Sequence, residues 1–395
     1  MKVEDLALQR SKYKHLSDDE WRWFLQQVEG RERTADKLPT FASIPDWWYP
    51  VRLSCEQCSS ELAARYKASL ISIDRLSRAN FKFQVSNFVD LTGGYGVDTY
   101  FLSEQFEHTD YVEQNAELCR IASHNFSLPY RKGMGVGSIT IHNCTAEVFL
   151  SSLTGEVGRG YDLIFIDPAR RDSHGGKVFR LEDCTPNVVE LLPTLLQHGK
   201  RLMIKLSPML DLTQAICQLS SVNCQLIWDI YVVAIKNEVK ELLLLSGGTG
   251  QITAIDLDKK DQAFVFTKED ERDCLLMNGD ALLNGGFLYE PNSAILKAGA
   301  YKLVAQRFGL QKLDVNTHLY CSEQLIEDFP GRIWRITEQI TNHKLQITNA
   351  NVLTRNYPLS PEALKKKLHL KDGGTVFIIG CRVAGKPTLF YAERV

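Results

Sequence analysis

Apolar residues in this chain follow two rhythms, and the change between them falls near Val85. Before it they return every three or four residues, as on one face of a helix. Trp21, Phe24, Leu25 and Val28 form such a face, and Ser17-Asp18-Asp19-Glu20 ahead of them has the form of a capping box. In that motif the Ser hydroxyl and the Glu carboxylate each take a backbone N–H that the helix leaves unpaired. A Pro- and Trp-rich connection runs from Pro39 to Pro50, and a second helical run starts near Ser59 and lasts to about residue 80. Residues 1–84 are therefore expected to be a helical region. Its Trp21, Trp23, Trp47 and Trp48 are expected to pack it against its neighbour, with a base-stacking platform as the alternative.

From Val85 onward short apolar runs alternate with helical segments. The runs are Phe88–Leu91, Tyr111–Glu113, Ile139–Ile141, Asp162–Ile166 and Leu202–Ile204. Nearly continuous apolar strands separated by helices indicate a parallel sheet covered on both faces. Two further strands, about Gln225–Val233 and Val239–Leu245, are joined by a few residues around Lys236-Asn237. So short a link cannot make a parallel crossover, so this pair is expected to be antiparallel. The pattern predicts an α/β fold over residues 85–250: a doubly wound, Rossmann-like sheet of the class I methyltransferase kind, ending in an antiparallel hairpin. Ser246-Gly247-Gly248-Thr249-Gly250 is read as a domain boundary. Residues 251–325 then predict a small α+β domain with one helix near Ala294–Phe308. Residues 326–395 predict another, entered around Gly331-Arg332-Ile333-Trp334, with a capped helix from Ser360 to His369, an Asp372-Gly373-Gly374 turn and a closing strand pair.

Composition narrows this picture in three ways. A chain of 395 residues is too long for one compact core. Its net charge of −2 excludes a surface that coats nucleic acid generally, yet residues 326–395 hold eleven basic and six acidic side chains. Lys365-Lys366-Lys367, on the helix after Ser360, is the candidate contact for a phosphate backbone, with a solvated helix face as the alternative. No apolar stretch approaches the length of a membrane helix and the polar first residues lack a signal peptide's apolar core, so a soluble cytoplasmic protein is expected. Among the ten cysteines the lone Cys55-x-x-Cys58 has no partner pair to complete a zinc tetrahedron, and no bound metal is expected. His142 and His174 are read as loop histidines.

The candidate chemistry lies at the ends of two strands. Asp90-Leu91-Thr92-Gly93-Gly94-Tyr95-Gly96-Val97-Asp98 follows a strand and opens a helix. Glycines there let the backbone approach a ligand, and the helix N-terminus supplies oriented N–H groups. Against the methyltransferase pattern acidic-x-Gly-x-Gly-x-Gly, Asp90, Gly94 and Gly96 match, while Thr92 replaces the first Gly; Gly93 lies between. The dinucleotide pattern GxGxxG fails in either register. The second strand ends in Glu113, 23 residues after Asp90, where an acid accepts hydrogen bonds from ribose hydroxyls. Asn143, after the third strand, stands where an acid commonly contacts an adenine amino group. These residues point to S-adenosyl-L-methionine (SAM) as cofactor.

The fourth strand ends in Asp167-Pro168-Ala169-Arg170-Arg171. Methyltransferases acting on nitrogen carry an Asp- or Asn-Pro-Pro-aromatic motif here, which holds the target amine with its lone pair aimed at the methyl group. Asp167 and Pro168 fit that role; Ala169 and Arg170 depart from it. A guanidinium at Arg170 is itself able to stack on a base or clamp a phosphate, or else pairs with a nearby acid such as Asp172 or Glu182. Chemistry at C5 of a pyrimidine needs a thiolate, usually just after the fifth strand, and Ser207 stands there instead.

The chain resembles a bacterial family of class I SAM-dependent methyltransferases with a C-terminal THUMP-like domain. The resemblance rests on Ser59 through Ala68, Leu91 through Asp98, Tyr111-Val112-Glu113 and Asp167 through Arg170, and at the C-terminus on Asn356 through Ser360 and Lys371 through Gly374. The region near Tyr289-Glu290-Pro291-Asn292 resembles the ferredoxin-like domain that precedes the THUMP-like one. The resemblance implies SAM binding through Asp90, Gly94, Gly96 and Glu113, and RNA as the substrate. Three functions follow: methylation of a nitrogen of an RNA base beside Asp167, methylation of a small molecule or protein, or SAM or RNA binding without catalysis.

Overall fold

The computed structural model describes residues 6, 9–77, 86–129, 137–153, 160–170, 180–259, 263–273, 285–340 and 347–395. The chain divides into two compact units, Met1–Trp228 with Leu242–Gly248, and Asp229–Glu241 with Thr249–Val395.

The first unit opens with helices α1 (Asp18–Thr34), α2 (Pro39–Ser43), α3 (Arg52–Gln57) and α4 (Glu61–Ser77). The capping box forms: the Glu20 N–H donates to Ser17 Oγ over 3.2 Å and the Ser17 N–H donates to Glu20 Oε2 over 2.8 Å. The tryptophans pack as the apolar face requires. Trp47 donates its ring N–H to the Tyr95 hydroxyl at 2.9 Å, and Trp48 lies flat on His124 at 3.7 Å. Arg120 covers Trp23 and Trp48 at 4.5 and 4.8 Å.

The strands follow: β1 (Asn87–Asp90), β2 (His108–Val112), β3 (Ser138–His142), β4 (Leu163–Ile166), β5 (Ala169–Arg170), β6 (Cys184–Thr185), β7 (Leu202–Leu206), β8 (Trp228–Ile235), β9 (Glu238–Ser246), β10 (Ile252–Asp256) and β11 (Phe264–Phe266). Between them lie α5 (Val97–Leu102), α6 (Ala116–Ser127), α7 (Ala146–Ser152), α8 (Val188–His198) and α9 (Leu212–Val222). Nine strands run in the order β11-β10-β8-β9-β7-β4-β1-β2-β3, while β5 and β6 form a separate small hairpin. Strands β1, β2, β3, β4 and β7 are parallel and β9 runs antiparallel to β7. All of β4 is buried, because both faces are covered. The β8–β9 link has positive φ at Lys236 (53°) and Asn237 (59°), the twist a two-residue hairpin loop needs.

The chain passes from the first unit to the second inside the expected boundary segment, at Gly248–Thr249, but strand pairing continues beyond it. β10 pairs in parallel with β8, from Ile252 beside Ile230 to Asp256 beside Ala234, and β11 pairs with β10. The sheet therefore runs to Phe266. Residues 246–250 make a tight return. Gly247 and Gly250 take positive φ (72° and 85°), and Asp229 Oδ1 accepts the N–H groups of Thr249, Gly250 and Gln251 at 2.8, 3.0 and 3.1 Å.

The remainder of the second unit holds α10 (Lys268–Asp273), β12 (Phe287–Pro291), α11 (Ser293–Ala298), α12 (Leu303–Arg307), β13 (Gln311–Asp314), β14 (Thr317–Ser322), β15 (Gly331–Gln339), β16 (Asn351–Arg355), α13 (Pro361–Lys367), β17 (Val376–Val383) and β18 (Lys386–Arg394). The single helix expected near Ala294–Phe308 is two, because Gly299 (φ 85°) closes α11 in the left-handed region. Seven strands form one sheet in the order β13-β14-β12-β15-β18-β17-β16 over a core of Leu288, Leu319, Trp334, Ile379 and Phe390. β12 pairs with both β14 and β15, so the sheet crosses the expected boundary between 325 and 326. Buried Glu290 on β12 takes Arg355 at 2.5 Å and Arg332 at 3.6 Å, both from beyond that boundary. Among the described residues no helix is long and apolar enough to cross a membrane.

Candidate active site

The carboxyl ends of β1, β2, β4 and β7 meet around one cavity of about 570 Å³ in the first unit. Open parallel sheets place their ligands at that edge. Residues 90–98, Glu113, Asp167 and Lys205 line it, together with Cys58 and Ser59 from the helical region.

The loop after β1 is shaped by Asp90, which is buried. Its Oδ1 accepts the Thr92 N–H at 3.0 Å and its Oδ2 accepts the Thr99 hydroxyl at 2.6 Å. Burial pushes this carboxyl up to about 7, although the bonds from Thr99 and Thr92 oppose the rise. The three glycines then have different tasks. A Cβ on Gly93 would sit 2.1 Å from the Tyr111 ring, so that position is a close approach between loop and strand. Gly96 (φ 82°) would place its Cβ 2.7 Å from Phe126. Gly94 (φ 55°) has only the Thr92 carbonyl oxygen within reach, at 3.8 Å, and is the glycine whose missing side chain leaves the cavity open.

Glu113 braces this loop. Its Oε2 accepts the Gly94 N–H at 2.9 Å and its Oε1 accepts the Asn115 N–H at 2.7 Å. Each oxygen keeps a lone pair for a further donor. Tyr111 closes the arrangement by donating its hydroxyl to the Gly94 carbonyl at 2.6 Å. A carboxylate facing the cavity beside an open glycine turn suits a ribose diol, and the volume lies in the range of cofactor pockets. These residues fit SAM. Asn143 is placed differently from expectation. It is outside the cavity lining, and its side-chain amide donates to the Glu113 and Gln114 carbonyls at 2.9 and 3.1 Å. Cys144 through Glu147 line the wall instead.

Asp167 follows β4 directly. Its N–H donates to Thr92 Oγ1 at 2.7 Å, which couples it to the glycine loop and gives Thr92 a role that a glycine lacks. Register sets Ile166 beside Ile204, so Asp167 and Lys205 continue side by side, and Lys205 Nζ lies 2.5 Å from Asp167 Oδ2. Lys205 also reaches Asp98 Oδ2 at 3.3 Å and Ser59 Oγ at 3.1 Å. Asp98 in turn holds the fully buried Lys67 at 3.0 Å and accepts the Ser59 hydroxyl at 2.7 Å. Burial works against the charge of Asp98, but Lys67 and Lys205 outweigh it and hold this carboxyl below its usual range. Sequence reasoning missed Lys205, Asp98, Lys67 and Ser59 as a set. The one signal was Lys205, a charge inside an otherwise apolar strand.

Pro168 is buried behind Asp167, and Arg170 pairs through its backbone with Cys184 in the β5–β6 hairpin. Arg171, Asp172 and His174 lie outside the described residues. Thr185 and Pro186, joined by a cis peptide bond, line the cavity beside Ala169, the hairpin partner of Thr185. His142 lies 2.7 Å from Asp110 as a strand-end contact. Cys55 is a buried free thiol that burial pushes up to about 12. In the second unit, Lys365 is paired with Asp372, while Lys366 and Lys367 are exposed.

A family model described as a ferredoxin-like domain matches residues 287–330, and one described as THUMP domain-like matches residues 331–394. The chain is similar to the crystal structure of a putative methyltransferase from Porphyromonas gingivalis. The two share 30% identity with a TM-score of 0.78, over 96% of this chain and 92% of that one. It is also 24% identical over 234 residues to an uncharacterized SAM-dependent methyltransferase of Mycobacterium tuberculosis; the match spans 56% of this chain and 60% of that protein's length.

Proposed function

This chain belongs to the SAM-dependent methyltransferases that carry ferredoxin-like and THUMP-like domains, and we propose that it methylates a nitrogen of an RNA base held beside Asp167. SAM supplies an electrophilic methyl group on its sulfonium. The residues of the chain do the rest. Glu113 and the Gly94 turn hold the nucleoside end of the cofactor. Asp167 accepts an N–H of the target amine and so orients the nitrogen lone pair, with Pro168 stiffening the backbone at that point. The Arg170 side chain, the sequence's other candidate here, lies outside what the structure describes.

The observation that carries this reading is the shared cavity. Asp167 and the glycine loop open into one space and are tied together through Thr92 Oγ1. The THUMP-domain-like match supports RNA, and exposed Lys366 and Lys367 supply a phosphate contact. The test is transfer of tritium from labelled SAM to total RNA from cells lacking this protein, followed by nucleoside analysis. N-methylated nucleoside is the expected product. Label confined to protein or to small molecules would replace RNA with the corresponding substrate class.

A further inference from the structure

The acceptor side of the cavity contains a line of alternating charges. It runs from Lys67 through Asp98 and Lys205 to Asp167, and it begins in the N-terminal helical region. Lys205 is its pivot. An ammonium has three N–H groups, and acceptors among the described residues around this one include Asp98 Oδ2 at 3.3 Å, Ser59 Oγ at 3.1 Å and Asp167 Oδ2 at 2.5 Å. They come from α5, from the turn before α4 and from the end of β4. The ammonium is thereby fixed in direction as well as in place. The two carboxylates it meets differ in surroundings. Asp98 is buried and has two cations and a hydroxyl. Asp167 is partly exposed, and among the described residues only its Oδ2 is bonded. Its Oδ1 is left for a ligand.

We propose that Lys205 is the positioning residue of the acceptor site, fixing Asp167 with one oxygen toward the incoming amine, and that Ser59 and Lys67 of the N-terminal helices hold Lys205 through Asp98. The proposal rests on Asp167 as the acceptor-holding residue. It makes the N-terminal helices part of the methyl-transfer centre rather than an accessory layer. Their contribution is indirect. Lys67 does not line the cavity, yet removing its charge leaves Asp98 with Lys205 as its remaining cation and draws that ammonium inward, away from Asp167. Ser59 supplies the second fixed point, since its hydroxyl donates to Asp98 and accepts from Lys67 and Lys205.

The test uses the full chain with K205M, K205R, S59A, D167A and the double variant K205M/D167A. Turnover and KM are measured with tritiated SAM and total RNA from cells lacking this protein, and SAM affinity by calorimetry. K205M is expected to lower kcat about a hundredfold, the scale set by a displacement of about 1 Å at a reacting group, with SAM affinity within about threefold of wild type. K205R, which keeps a cation, is expected to recover at least a tenth of the activity, and S59A to lose about three- to tenfold. Because Lys205 acts through Asp167, K205M is expected to cost nothing further in the D167A background. Independent, multiplying losses would overturn the positioning role, and so would K205M turning over within about twofold of wild type. If D167A itself retains full activity, the acceptor reading fails instead, which is a separate result. A crystal structure of K205M provides a readout free of any substrate. Asp167 is expected to leave its present position, and an unmoved carboxylate would refute the proposal.

Discussion

Two adjacent glycines in the loop after β1 are expected to respond oppositely to one added methyl group. At Gly94 an Ala side chain meets no atom closer than 3.8 Å, so the stability cost is that of an L-residue at φ 55°, about 1 kcal/mol. For a unit of this size that lowers Tm by about 2–4 °C. The methyl group, however, projects into the cavity where the cofactor must pass, and SAM affinity should fall at least tenfold, about 1.4 kcal/mol. At Gly93 the new Cβ lands 2.1 Å from the Tyr111 ring. That ring is fully buried, packs edge-on to Phe126 at 5.8 Å and is pinned by its hydroxyl on the Gly94 carbonyl, so it has no room to swing. Overpacking of this kind costs about 1–3 kcal/mol, and the upper end applies here. Gly93→Ala should therefore lower Tm at least twice as far as Gly94→Ala, as read by scanning calorimetry. Titration calorimetry gives the binding half. A Gly94→Ala protein that binds SAM within twofold of wild type would show that the cofactor does not cross this loop, and equal melting points for the two variants would refute the steric division.

Other substitutions separate the remaining roles. Glu113→Ala removes a charge-assisted acceptor and unbraces Gly94, so SAM binding should weaken by about 1.5–3 kcal/mol, roughly tenfold to a hundredfold; unchanged calorimetric affinity would remove Glu113 from the cofactor site. Asp167→Ala should slow methyl transfer about a hundredfold, to a rate still measurable with labelled SAM, and leave SAM affinity nearly intact, whereas parallel loss of both would move Asp167 into the cofactor pocket. Asp90 is held near 7 by burial against an ordinary value of 3.8, so the folded carboxyl keeps its proton longer than the unfolded one. Its contribution is full below pH 3.8 and is lost as pH rises to about 7, by on the order of 4 kcal/mol in all. Asp90→Asn should flatten that part of the profile, and denaturant unfolding at about pH 5 and about pH 8 would show an undiminished difference if the assignment is mistaken. Replacing Lys366 and Lys367 by Ala should reduce the slope of log K against log salt by about 0.7 for each single-stranded phosphate that is no longer neutralised. Lys365→Ala, at a residue already paired with Asp372, should alter it less.

What the sequence revealed and what it hid have physical causes. The parallel strands were legible because burial on both faces leaves near-continuous apolar runs such as Leu163-Ile164-Phe165-Ile166. The hairpin was legible because two residues, Lys236 and Asn237, cannot span a crossover. The break at Ser246–Gly250 was legible too, but not that β10 and β11 continue the same sheet beyond it, since a glycine-rich return capped by Asp229 has the same composition as a linker. One helix became two because Gly299 in an otherwise regular apolar pattern is tolerated in either conformation until the chain turns there. At the site, Asp90, Gly94 and Glu113 were readable from their places at strand ends. The Lys67–Asp98–Lys205–Asp167 line was not, because its members are brought together only by sheet register and helix docking. Nor did the sequence reveal that the Asn143 amide N–H groups go to two backbone carbonyls, because strand-end position says nothing about which neighbour claims an amide.

The pairing of β12 with β15 bears on how this protein can be dissected. The two matched domains meet between residues 330 and 331, yet β12 lies in one, β15 in the other, and they are adjacent strands in the middle of one seven-stranded sheet. Buried Glu290 is also satisfied across that junction by Arg332 and Arg355. Cutting there would expose two long strand edges and strand a carboxylate in an apolar interior. The two matched domains thus share one sheet, and a truncation that spares it should keep or remove residues 287–394 together.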